Sequence, residues 1–403
     1  MNLPAPRPLA GLRVLDLSSM MAGPYCGRWL ADLGADVIKI ESPEGDYMRT
    51  RPPLRSGYSA YFGHLNCGKR SMVLDLKKPA AVGLVRSLAS KSDVLLEGFR
   101  PGVMDRFGLD YESLRAENPA LIYCSISGYG QEGPMAGNPA YAAIVHATSG
   151  FDEAWRVSQP GDALPPTCGV QIADVVAASF ATMAVQTALL ARQKSGAGQR
   201  VDLSLMEGML ALMPLDIVQA QFPADNRRTS YRPVKARDGY VVITPISQKN
   251  FTDLCTAMGR EDFKADPRFA SPLARVENWE TLLGEVQAWA GHRTVDECMS
   301  YLSAAGVPAA RHSSVKQTLE SEQLGARGFW AAARDGGGNF LAARLPFTLS
   351  ADAGRDPGPA LVPELGEHTR EVLRDILALD KAEIDLLVSQ GVAYGVGKET
   401  CAA

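Results

Sequence analysis

Arg13-Val14-Leu15-Asp16-Leu17 reads as a short strand, and Val37-Ile38-Lys39-Ile40-Glu41 as a second. Between them a helix is expected from near Pro24, with the proline in its first turn, to about Asp32. Gly34-Ala35-Asp36 then turns the chain back toward the second strand. Strand, helix and strand in this order make a βαβ unit, and that unit decides the fold.

The pattern repeats outward from it. Met72-Val73-Leu74-Asp75-Leu76 is followed by an apolar-periodic stretch to Leu88, then by Val94-Leu95-Leu96 and another helix, and Leu121-Ile122-Tyr123-Cys124-Ser125-Ile126 closes the run. Strands alternating with helices predict an α/β fold with a mostly parallel sheet covered on both faces. Gly169-Val170-Gln171-Ile172-Ala173-Asp174 opens a run, Val175 to Ala191, that passes without a charge. Its Ala, Val, Leu and Met content predicts a helix buried on most sides, too short and too rich in Ser, Thr and Gln for a membrane span. Arg200-Val201-Asp202-Leu203-Ser204 adds a strand.

Composition shifts after that strand and the helix that follows it. The chain is polar and basic from Phe222 to Pro233, a linker, and beyond it a smaller α+β region begins with the strand Tyr240-Val241-Val242-Ile243. Helices are expected near Phe251–Met258, Trp279–Ala290 and Val295–Ala305, the last with capping-box spacing at Thr294 and Glu297. Asp335-Gly336-Gly337-Gly338-Asn339 is a tight turn in a hairpin, and a helix follows His368. The expected organisation is a large domain over residues 1–221, a linker over 222–234, a small α+β domain over 235–330, and a segment 331–403 that returns to the large domain.

The 403 residues suffice for two or three packed domains, and 46% hydrophobic with 21% charged residues is ordinary globular composition. A net charge of -4 argues against nucleic acid or an anionic membrane as partner. Seven scattered cysteines, without a C-x-x-C pair, fit reduced thiols in a cytoplasmic enzyme better than a disulfide framework. The opening Met1-Asn2-Leu3-Pro4 has no apolar segment of the secretory type.

Asp174 stands at the mouth of the uncharged helix, with Asp162 and Arg192 as the nearest charges along the chain. A carboxylate there is either a helix cap, favoured by unpaired N–H groups and the helix dipole, or a reactive group. Gly128-Tyr129-Gly130-Gln131-Glu132-Gly133 matches a dinucleotide fingerprint after a strand, but Pro134, Gly137, Asn138 and Pro139 follow where its helix should begin, so a loop is expected. The five histidines form no H-x-x-x-H or H-E-x-x-H pair, so no metal site is expected. His146 lies in an apolar stretch and reads as a packed core residue rather than a base. Basic residues after strands, Arg49, Lys69, Arg70, Arg100 and Arg106, suit a phosphate-bearing, nucleotide-like ligand beyond the sheet's carboxyl edge, or are simply solvated.

Taken together, these residues resemble the class III coenzyme A transferase family, the CaiB–BaiF type, over most of the chain. The likeness is carried by Leu12-Arg13-Val14-Leu15-Asp16 with Ala22-Gly23-Pro24, and by Leu33-Gly34-Ala35-Asp36-Val37-Ile38-Lys39-Ile40-Glu41. It continues through Leu65-Asn66-Cys67-Gly68-Lys69-Arg70-Ser71, Phe99-Arg100-Pro101-Gly102-Val103-Met104, Ser127-Gly128-Tyr129-Gly130, Gln199 to Glu207, and Leu365-Gly366-Glu367-His368-Thr369. The resemblance implies an interlocked homodimer, each subunit with a Rossmann-like large domain and a smaller one. It implies Asp174 as the nucleophile, coenzyme A contacts at Ala22, Lys69, Phe99 and Arg106, and no permanently bound cofactor, with coenzyme A entering as part of the substrate. The reaction implied is transfer of coenzyme A from an acyl-CoA to a carboxylic acid through an aspartyl anhydride and an aspartyl thioester.

Two departures bear on the substrate. Oxalate-type members carry Gln before Ala-Gly-Pro, where this chain has Met21, which argues against oxalate. They also carry a Gly-rich loop shielding the intermediates, whereas Phe222–Pro233 holds no glycine. Arg49, Arg227, Arg228 and Arg232 would suit a second carboxylate, as in succinate, or are solvated charges. The racemase branch of the family, an acid–base enzyme, uses a His where this chain has Tyr141. A phenol of ordinary pKa ~10 exchanges protons poorly, so transfer is favoured, with His146 keeping the racemase as the alternative. A nicotinamide-dependent oxidoreductase using the Gly128 loop is the reading from another class.

Overall fold

The computed structural model describes residues 7–157, 159, 164–166, 168–222, 231–350 and 360–396. The chain divides into two compact units, Met1–Val218 with Gly328–Ala403, and Gln219–Arg327. The larger unit is built on a seven-stranded sheet: β1 (Arg13–Asp16), β2 (Asp36–Glu41), β3 (Arg70–Leu74), β4 (Val94–Glu97), β5 (Ile122–Ser127), β6 (Arg200–Ser204) and β7 (Ala393–Tyr394). Their order across the sheet is β7-β3-β2-β1-β4-β5-β6. The pairs from β3 to β6 are parallel, and β7 closes the edge antiparallel to β3.

Registration explains why the strands read as unbroken apolar runs. Val14 lies opposite Val37 and Val94, while Leu15 lies opposite Ile38 and Leu95. Val14, Val37, Val94 and Ile122 enter a core with α1 (Ala22–Asp32), whereas Leu15, Ile38, Leu95 and Tyr123 enter a second core on the other face. Both faces are covered, so no polar alternation survives. The helix after β1 begins at Ala22, two residues before Pro24.

The uncharged run forms a helix of 24 residues, Ile172–Ser195. By length and composition alone it could cross a membrane, which corrects the expectation that it is too short. It is also not buried on most sides. Ala173, Ala177, Ala178, Ala181, Val185 and Ala188 pack into the core with α1, while Met183 and Leu190 point outward and are 55% and 62% exposed. Small residues on the inner face let the helix approach the sheet layer closely.

The smaller unit pairs Val234–Lys235, Tyr240–Ile243 and Ala309–Arg311 antiparallel around a core that includes Phe251, Phe263, Phe269 and Leu282. Thr294 and Glu297 form the expected capping box at Val295–Ala304. In the larger unit Trp330–Asp335 and Gly338–Ala343 make the expected hairpin. Residues 128–141 contain no helix before Ala142–Thr148, so the Gly128 segment is the loop expected of it and lacks the helix a dinucleotide site needs.

Candidate active site

The loop between β1 and α1, Ser18 to Met21, is held from below by buried charge. Lys69 Nζ donates to Asp16 Oδ2 at 2.8 Å, to the Pro24 carbonyl at 2.7 Å and to Asn66 Oδ1 at 2.9 Å. Lys39 Nζ meets Asp46 Oδ2 at 2.8 Å and donates to the Ser18 carbonyl at 2.9 Å. Asp16 Oδ1 accepts the Ser18 amide at 3.0 Å, and Asp46 Oδ1 accepts the Met48 amide at 2.9 Å. Met20 takes the left-handed conformation, φ 68°, a strained setting for a side chain that persists where its surroundings over-determine it.

Two glycines make the close approach possible. A Cβ at Gly23, inside Ala22-Gly23-Pro24, would lie 2.2 Å from Ser18 Cβ, and one at Gly27 would lie 2.7 Å from Asp16 Oδ2. The motif is thus a packing requirement of the loop on its helix.

Two of the basic residues expected to meet ligand have protein partners. Lys69 is fully inside, and its three protons are already taken, so it offers none to a phosphate. Arg49 grips Glu41 with Nε and NH2, each at 2.7 Å, gives NH1 to the Pro363 carbonyl at 3.1 Å, and lies 4.0 Å over the Phe62 ring. Its Nε–NH2 edge is thus occupied by Glu41, and of its five N–H donors only one on each terminal nitrogen is left for a substrate carboxylate. Arg232 is paired with Glu280, and Arg227 and Arg228 lie outside the described residues, as does most of the linker.

Other expected positions remain accessible or locally fixed. Arg106 is exposed at the end of the short helix Val103–Phe107 and makes no ion pair or hydrogen bond through its side chain among the described residues. Phe99 packs at the margin of the second core and donates its amide to Glu97 Oε2 at 2.9 Å. Ala22 is buried as the first residue of α1, and Met21 precedes it as the cap position. Tyr141 is 62% exposed at the start of Ala142–Thr148.

Asp174 is the third residue of its helix, and Gln171 holds the cap position without a side-chain bond. The simple cap reading of Asp174 therefore gives way. Burial pushes its carboxyl up to about 6, against a smaller opposing effect of its own backbone amide. No cation pairs with it among the described residues. A carboxylate taken out of water without a counter-charge is a stronger base and nucleophile than an ordinary aspartate.

Tyr61, which the sequence reading missed, joins this site. Its hydroxyl donates to Met21 Sδ at 3.0 Å, and its phenol is raised by burial and by the charge of Asp174. Tyr61 thus links the β1–α1 loop to the helix mouth. Ser59 fixes the start of its helix, Ala60–Asn66, by accepting the Phe62 amide at 3.1 Å. Only the Ser-x-x spacing of that cap is visible in the sequence.

His146 is buried, and its Nε2 accepts the Ala173 amide at 3.1 Å. Burial also lowers its pKa, partly offset by Asp152. A ring nitrogen engaged in that way is not open to take a substrate proton.

A separate cavity of about 110 Å³ lies beside β4 and β5, lined by Glu97, Arg100, Tyr123, Ser125 and Arg200 among others. Asp105, Asp110 and Glu112 also line it. So many carboxylates make a poor phosphate site, and Asp174 is not among its walls; the helix mouth is the better candidate centre.

Comparison with known proteins shows the family. The model of CoA-transferase family III matches residues 9–369. The succinyl-CoA–D-citramalate CoA-transferase of Chloroflexus aurantiacus is 35% identical over 400 residues, covering 96% of this chain and 98% of its own. The succinate–glutarate CoA-transferase of Agrobacterium fabrum is 33% identical, over 93% and 97% of the two chains. Among solved structures, a CAIB/BAIF family protein from Brucella suis superposes with a TM-score of 0.81 at 33% identity, covering 92% of this chain and 100% of that one. The chain belongs to CoA-transferase family III and is an enzyme of the coenzyme A-transferring class.

Proposed function

We propose that the enzyme moves coenzyme A between dicarboxylic acids by covalent catalysis at Asp174. The observation that carries this is the unpaired carboxyl at the helix mouth, raised to about 6 by burial. The Asp174 carboxylate attacks the donor thioester carbonyl, the C–S bond breaks, and coenzyme A leaves as thiolate from a mixed anhydride. The thiolate attacks the Asp174 carbonyl, forming aspartyl-CoA and releasing the donor acid. The acceptor carboxylate then attacks that thioester, and the returning thiolate takes the acyl group, restoring Asp174. Atoms and charge balance without a redox partner or water. Each step replaces one difficult exchange by an easier displacement.

Succinyl-CoA as donor and a C4–C5 dicarboxylate as acceptor are supported by what the named relatives act on. Arg106 and Phe99 are proposed to receive the coenzyme A moiety, and Met21, Tyr61 and Tyr141 to border the acyl group. Racemisation is disfavoured by the engagement of His146 Nε2 with the Ala173 amide. A second copy of the chain is proposed to cover the apolar surface that includes Met183, Leu190, Leu212 and Leu215, all at least 46% exposed. A cytoplasmic setting is supported by six unpaired cysteines among the described residues.

The test is trapping. Wild-type enzyme incubated with succinyl-CoA and treated with hydroxylamine or borohydride is expected to carry its modification on the peptide containing Asp174. Deuterium washed into the α-carbon of the acyl-CoA, with Asp174 unmodified, would instead establish the racemase.

A further inference from the structure

The first two helical amides of Ile172–Ser195 each find an acceptor, and they do so differently. Ile172 donates to the nearby Val170 carbonyl at 2.9 Å. Ala173 donates instead to His146 Nε2 at 3.1 Å, on a helix 27 residues earlier in the chain. Val175 then opens the regular ladder by donating to Gln171 at 3.2 Å. The capping position supplies no side-chain bond. One imidazole therefore ties the first turn to the rest of the larger unit through a side-chain acceptor.

We propose that His146 is a positioning residue for Asp174, acting through the Ala173 amide; this rests on the reading of Asp174 as the nucleophile. Ala173 is fully buried, so its amide has no water to turn to if the acceptor is lost. His146 is itself buried against Phe151, with ring centroids 5.5 Å apart, which fixes the direction of the Nε2 lone pair. Accepting at Nε2 assigns the ring proton to Nδ1, and only a neutral imidazole can do this. Asp152, on the next helix, is the charged group whose field reaches the ring. Its Oδ1 is buried without a hydrogen bond. Asp174 is the residue after the tethered amide, so a turn that loosens at Ala173 moves the carboxylate directly. A misplacement of about 1 Å at a reacting group can cost about 10²-fold in rate.

The experiment compares His146→Leu, which removes the acceptor, with His146→Gln, whose amide oxygen can replace it. Three readouts are taken: kcat and donor KM, hydrogen exchange of the peptide containing Ala173, and hydroxylamine trapping at Asp174. His146→Leu is expected to lower kcat at least tenfold, leave donor KM within twofold, and speed exchange at Ala173. His146→Gln is expected to return all three toward wild type. If His146→Leu does not fold, His146→Asn takes its place, because its shorter side chain leaves the amide unreached. A kcat within twofold of wild type in the acceptor-less variant overturns the proposal. So does a Gln variant as slow as the Leu variant, since the imidazole itself would then be required. In both of these cases trapping at Asp174 in wild type still stands. Absence of trapping in the turning-over wild type overturns the nucleophile reading and this proposal together, which distinguishes the two failures.

Discussion

Asp16 is a fully buried carboxylate and Asp174 a partly buried one, and they end in opposite states. Burial pushes Asp16 up, but Lys69, Lys39 and the Ser18 hydroxyl outweigh it and hold the group below its usual range. Asp174 has no such partner among the described residues, and burial carries it up to about 6. The surroundings of Asp16 continue as a chain of paired charges, Lys39 with Asp46 and Glu41 with Arg49. Those groups hold a loop, whereas the lone group is the one proposed to react. Burial alone does not single out that carboxylate; what sets it apart is burial without a compensating charge.

The largest expected effect breaks the comparison at the reactive end. Asp174→Asn keeps the shape and removes the proposed nucleophile, so exchange assayed by mass spectrometry is expected to fall by several orders of magnitude. Its stability is expected to hold or rise. The folded state binds the Asp174 proton more tightly than the unfolded chain does, so stability falls as pH rises from about 4 to 6 and the loss persists above that window. Relief of up to about 3 kcal/mol follows from the shift, and urea unfolding at pH 7.5 and pH 4.5, about where the group is charged and mostly neutral, checks the sign. A variant markedly less stable than wild type at the higher pH would return Asp174 to a structural role.

At the paired end, Lys69→Ala is expected to cost about 3–5 kcal/mol in urea unfolding, because buried Asp16 loses its direct ion-pair partner. Weakened CoA binding with unchanged stability would reverse that and put Lys69 back among the ligand contacts. Next in size is the pH profile: kcat/KM is expected to fall about tenfold per unit below about pH 6, as Asp174 takes up its proton. A flat profile down to pH 4.5 would mean that ligand binding restores an ordinary carboxyl. Arg106→Ala is expected to weaken coenzyme A binding about tenfold in calorimetry, with stability unchanged, since a charge-assisted contact is lost from an exposed side chain. The smallest change expected is from Tyr61→Phe, a few-fold rise in donor KM from losing the hydroxyl that orients Met21 Sδ.

The sequence by itself determined six of the seven strands of the sheet and its mostly parallel character, the capping box at Thr294, the hairpin turn at Asp335 and the position of Asp174 at a helix mouth; the order across the sheet and the edge strand Ala393–Tyr394 came only with the structure. Each of the former depends on local periodicity, turn chemistry or the absence of charge, which neighbouring residues encode. It did not determine which cations were available. Lys69 and Arg49 look like Arg106 in one dimension, and only the fold brings Asp16, Pro24 and Asn66 to the first and Glu41 and Pro363 to the second. Nor did it distinguish the two faces of Ile172–Ser195, since the run Val175 to Ala191 carries no charge to mark which side meets the sheet. The roles of Tyr61 and His146 arise from contacts 40 and 27 residues away in the chain, to Met21 and Ala173. The pKa of Asp174 is likewise a tertiary property, because desolvation is set by what the fold brings over the carboxylate and by the counter-charge it leaves out.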